Sequence, residues 1–228
     1  MATQTTRQNG PPLLIPALIM AALTLTSAAL GATAARFDAP DLLAYDLAHH
    51  TTILVLGTVV FGTSIPLLIW SATVYRRLHR LGVTAPGSAI AFGGGLLAAA
   101  SLAVSGLLTW TTAQNPDPSS PGLARALTAF AFATGGPGFV VPLAMLIAGV
   151  SVPSLILRLL PRALALTGLV IAALSALATF ALLLPALDFL IPVGRFGGLL
   201  WLIAASVLLP LNRHRNPTPQ PANAMEMS

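Results

Sequence analysis

Residues 51–75, TTILVLGTVVFGTSIPLLIWSATVY, run without a charged side chain and stop at Arg76-Arg77-Leu78-His79-Arg80. At ~1.5 Å per residue such a run exceeds the roughly 30 Å of a bilayer's hydrocarbon core, so it reads as a membrane-spanning helix. The rest of the chain repeats the pattern. Comparable segments run from Leu13 to Ala35, Ser88 to Thr112, Leu123 to Leu157, Ala163 to Leu184 and Pro192 to Leu211. The stretches between them carry Pro, Gly or charge. The fold predicted is an all-α, polytopic transmembrane bundle of six helices, covering residues 13–211 between a tail at 1–12 and a disordered tail at 212–228.

Composition agrees. The 228 residues are 56% hydrophobic and 7% charged, with a mean hydropathy of +0.86. Soluble domains carry roughly 25% charged residues, so this chain cannot cover a water-facing surface. An ordinary cytosolic enzyme, a nucleic-acid binder and a disordered protein are excluded together. The formal charge of +5 is spread as punctuation between apolar runs, not gathered in a patch. There is no Cys, which removes thiol chemistry and Cys-based metal sites. There is no Lys either, so no lysine Schiff base can form. Arg-only basic usage with abundant Ala and Leu suggests a GC-rich bacterial genome.

Arginines orient the bundle. With the N-terminus in the cytoplasm, Arg7, Arg76, Arg77, Arg80, Arg158, Arg162, Arg213 and Arg215 fall inside, and Arg36, Arg125 and Arg195 outside. Asp38, Asp41, Asp46, Asp117 and Asp188 also fall outside. The expectation is a multi-pass protein of the bacterial cytoplasmic membrane with both termini inside. Leu30 to Ala35 also has the small-residue pattern of a signal-peptidase site, behind an apolar run longer than the ~7–15 residues of a signal sequence. Cleavage there leaves five helices and the same orientation.

Small residues foreshadow the packing, because lipid gives helices no hydrophobic reason to associate. Gly87, Ala91, Gly95, Ala99 and Ala103 recur at every fourth position, as do Gly168, Ala172 and Ala176, and Gly194 with Gly198. Packing inside one bundle is the simpler use of these stripes; a homodimer or a partner membrane protein is the other. The fourth segment is too long for one straight span and contains Gly135-Gly136-Pro137-Gly138, with Pro142 and Pro153 beyond. A break is expected there. It reads either as a kink or as the broken helix of a transporter site. Residues 61–67 and 137–143 match loosely at an offset of 76, each with a Gly-x-x-x-Pro, which raises a parallel internal repeat.

Few groups bear chemistry. Residues 36–50 read as a short interfacial helix on which Asp46, His49 and His50 share a face. A carboxylate and imidazoles so placed suit a divalent metal or a proton relay, but neighbouring histidines diverge by ~100° around a helix. A solvated surface helix is therefore expected, and no metal or cofactor. Arg195, among glycines near the outer end of the last helix, is a candidate for an ion pair with Asp188 or Asp46, for snorkelling, or for a ligand. No ionisable residue lies mid-span, and no nucleophile motif or phosphate loop is present.

Residues 195–201 (RFGGLLW), Phe61-Gly62-x-x-Ile65-Pro66 and the Leu81-Gly82-Val83 turn resemble a group of small six-helix bacterial integral membrane proteins of unknown function. The resemblance covers most of residues 13–211. It implies the six-helix fold and carries no site residue. Function is expected to be non-enzymatic, that of a sensor, accessory or interaction subunit. The alternative is a permease for a small, largely apolar solute, gated at Gly135–Gly138. Its partners are the lipid bilayer and a membrane protein or second copy, with no nucleic acid.

Overall fold

A computed structural model describes residues 12–34, 48–114 and 121–211, and every regular element among them is helical. The two tails and most of the interfacial segment, Asp46 included, lie outside the described residues. The helices are α1 (Leu14–Ala34), α2 (His50–Arg80), α3 (Gly87–Gln114), α4 (Pro121–Gly135), α5 (Pro137–Ile156), α6 (Arg162–Leu177) and α7 (Leu190–Leu208). Short 3-10 turns at Ala178–Leu182 and Pro185–Leu187 join α6 to α7. Six spans are long and apolar enough to cross a membrane, the fourth being α4 and α5 together. The observed α2 outruns the uncharged stretch, reaching Arg80, because the exposed Arg76 and Arg80 keep their heads in water while the backbone stays helical.

Glycines set the helix register. The backbone of α2 at Gly57 meets α3 at Gly106 and Trp110, and Gly95 of α3 meets Ser71 of α2, so the two run antiparallel. On another side of α3, Gly87 meets Gly149 and Pro153, and Gly94 meets Pro142 and Leu146. Thus α5 is antiparallel to α3 and parallel to α2. Arg76, Arg77, Arg80, Arg158 and Arg162 therefore gather at one end of the bundle, called here the arginine end. The expected single stripe on α3 is split: Gly87, Ala91 and Gly94 serve α5, while Gly95 and Gly106 serve α2. Four residues turn a helix by ~400°, so a stripe at every fourth position drifts ~40° per step and passes from one neighbour to the next.

The central helix is α5. Phe139, Val140, Leu143, Leu146, Ile147 and Val150 are all buried there, with Leu67, Val74, Leu102 and Leu202 contributed by other helices to the same cluster. Large apolar side chains point the other way as well. Ile15, Ile65, Leu97, Val170 and Leu200 face outward, the arrangement of a protein solvated by lipid chains.

Helices α2 and α5 end alike, the first with an added bond from Gly82 N–H to His79 O. Leu81 N–H donates to Arg77 O and Val83 N–H to Leu78 O; Leu157 N–H donates to Pro153 O and Leu159 N–H to Ser154 O. The offset between all four pairs is 76 residues, the same that relates Gly62-x-x-x-Pro66 to Gly138-x-x-x-Pro142. Each end is a Schellman turn with its central residue in the left-handed region, Gly82 at φ 85° and Arg158 at φ 54°. The matching caps strengthen the case for a parallel repeat relating α2–α3 to α5–α6. Left-handed backbone suits glycine and costs other residues about 1–2 kcal/mol. Arg158→Gly is therefore expected to raise the thermal midpoint in detergent, and Gly82→Ala to lower it, each by the equivalent of about 1 kcal/mol.

Candidate functional site

The polar features of the bundle meet where α4 gives way to α5. Pro137 has no N–H to offer Ala133 O, so the helical ladder stops one residue short of it. Gly136 N–H still reaches Phe132 O at 2.7 Å, and Phe139 N–H and Val140 N–H both turn back to Gly136 O at 3.1 and 3.0 Å. That leaves the Gly135 carbonyl without a partner from its own helix. Bare backbone carbonyls are costly away from water.

Arg195 supplies the missing donor. Its Nη2 donates to Gly135 O from 60 positions along the chain, and its guanidinium lies 5.3 Å from the centroid of the Phe139 ring. A cation over an aromatic face and at the carbonyl end of a helix is favourably placed on both counts. Ser105 of α3 adds a second clasp, donating to Ala131 O at 2.8 Å. A side chain at Gly135 would collide with that hydroxyl. The joint is thus held from α3 and α7 simultaneously.

Depth follows from register. Gly194 lies against Val140, and Gly198 against Leu143 and Ile147, so α7 runs parallel to α5. Arg195 therefore stands about one turn inward of the break, with its side chain directed back toward the start of α7 as helical side chains are. The 20 residues of α5 are ~30 Å long, the thickness of the hydrocarbon core. The break therefore lies ~30 Å from the arginine end, level with the start of α7. The broken segment expected from Gly135, Gly136, Pro137 and Gly138 is present, in the form of a kink that α5 alone outlasts.

The anticipated ion pair is not made. Asp188 is half-buried and sits just before α7, where its carbonyl accepts from Ile191 N–H and its charge suits a helix N-terminus. Arg195 takes a carbonyl instead, and no ion pair joins it to any carboxylate among the described residues. Its Nε is buried and unpartnered, as are the hydroxyls of Ser151, Ser154 and Ser175. His49 and His50 lie at the start of α2, both half-buried, with His49 O accepting from Ile53 N–H. No three metal-ligating side chains come together among the described residues.

A second polar tie, not anticipated from the sequence, lies nearer the arginine end. Trp70 Nε1–H donates to Ser206 Oγ at 2.8 Å, which donates onward to Leu202 O at 2.6 Å. Arg77 Nη1–H donates to Leu209 O at 3.3 Å. Trp201 Nε1–H donates to Leu164 O at 2.9 Å and packs over Gly168. These bonds fasten α7 to α2 and α6 with tryptophans that are almost wholly buried. No family model matches the chain, and neither the curated proteins nor the solved structures contain a match.

Proposed function

We propose that this is a non-catalytic, multi-pass protein of the bacterial cytoplasmic membrane, acting as a sensor or interaction subunit. The observation that carries the reading is that the helix break is closed by Arg195. A discontinuous helix that serves transport opens its backbone near the bilayer midplane, where a solute is held. Here the free carbonyl is clasped by Arg195 and not open to a solute, and Leu143, Leu146, Ile147 and Leu202 are buried in the helices beyond it. A closed break over a packed interior favours a protein that works through its surfaces.

The arginine end faces the cytoplasm in this proposal, with both termini on that side. Single cysteines test it cleanly because the chain has none. Thr84 and Ala186 are exposed at opposite ends. An impermeant maleimide is expected to label Ala186→Cys in intact cells and Thr84→Cys only after lysis; the reverse pattern inverts the orientation. For function, purified protein in liposomes is expected to leave the flux of small apolar solutes at the protein-free level. Saturable flux abolished by filling the interior further, as in Ala144→Leu, would instead establish the permease reading.

A further inference from the structure

Arg195 is a cation inside an apolar bundle with no acid beside it among the described residues. Among the described residues one of its five N–H donors is used, on Gly135 O. Nε is buried without a partner, and the side chain as a whole is only half-buried. An isolated guanidinium at membrane depth is unfavourable unless it reaches headgroups or draws an anion to itself. Phe139 beneath it and the α4 carbonyl beside it hold the plane fixed. The helix direction turns the group toward the start of α7 and away from the arginine end.

We infer that Arg195 binds the anionic headgroup of a phospholipid in the leaflet opposite the arginine end. A guanidinium presents parallel N–H groups that match two phosphate oxygens, and a fixed plane makes that match specific. The surrounding surface suits acyl chains: Phe189, Val193 and Leu200 form the exposed face of α7. The 3-10 connection adds Leu182, Leu183 and Leu184, with Leu183 77% exposed. The lipid phosphate would complete the coordination that the protein leaves open, and its occupancy would stiffen the α4–α5 joint through the shared guanidinium. The site stands apart from the proposed function, since a headgroup can bind there whether or not the protein has a partner.

The test is native mass spectrometry of the full chain after exchange into phosphatidylglycerol, phosphatidylcholine or inorganic phosphate. Wild type is expected to keep a last phosphatidylglycerol at collision energies that strip it from Arg195→Gln, with Arg195→Lys, a point charge without the fork, falling between the two. Arg80→Gln, which removes a charge from the other end, should behave as wild type. Equal retention by Arg195→Gln overturns the site. Equal protection of wild type by inorganic phosphate overturns the lipid and leaves a free anion as ligand. A second measurement needs no variant: photoactivatable phosphatidylglycerol should cross-link within residues 132–139 or 182–200. Cross-links confined to the arginine end overturn the proposal independently.

Discussion

Gly106→Ala is expected to lower the thermal midpoint of the detergent-solubilised protein by the equivalent of about 1–3 kcal/mol, while Gly93→Ala leaves it unchanged or slightly higher. The two glycines share a helix and differ in what a methyl group would meet. At Gly106 it would lie 2.4 Å from Phe61 N and 2.7 Å from Gly57 O, both backbone atoms that cannot rotate away. At Gly93 it would meet nothing within 4 Å. Relief of the clash requires α2 and α3 to separate, and close van der Waals packing is what joins helices in lipid. Alanine's better helix propensity, about 1 kcal/mol, is then free to act only at Gly93. Equal midpoints for the two variants would mean that the α2–α3 contact is looser than its glycines indicate.

Trp70→Ala is expected to cost more, about 3–5 kcal/mol, the range for truncating a buried tryptophan. Trp70 is 1% exposed and lies among core residues contributed by several helices. Ser206→Ala separates the polar part of that loss from the packing part. It leaves the Trp70 Nε1–H without its acceptor and is expected to cost about 1–3 kcal/mol, as for a buried donor left unpaired. Thermal unfolding followed by tryptophan fluorescence measures both. A Ser206→Ala variant as damaging as Trp70→Ala would show the hydrogen bond, and not the ring, to be the tie between α2 and α7.

How much of this was legible beforehand depends on the kind of interaction. Six spans follow from apolar length alone, because the bilayer sets one threshold that every segment must pass. The break near Gly136 follows from local chemistry, since Pro137 lacks a donor wherever it is placed. The partner of Arg195 was not legible. A search for carboxylates leads to Asp188 or Asp46, but the group it binds is a backbone carbonyl 60 residues away, and carbonyls carry no mark in sequence. The division of the α3 stripe was hidden for a different reason. Spacing by four conceals a slow rotation, and only the neighbours reveal which glycine serves which helix. Gly57 and Gly106, isolated in sequence, gave no stripe to notice at all.

The matched turns after α2 and α5 bear on how the protein enters its membrane. Each helical hairpin emerges with its own arginine cluster already attached, Arg76, Arg77 and Arg80 in one and Arg158 and Arg162 in the other. In the proposed orientation the arginines of both turns favour the same side, so the second hairpin need not inherit it from the first. An arginine even occupies the left-handed position that glycine fills in the first turn. Moving charge away from one turn would leave the other still directing insertion the same way, so the two hairpins act as redundant votes on a single topology.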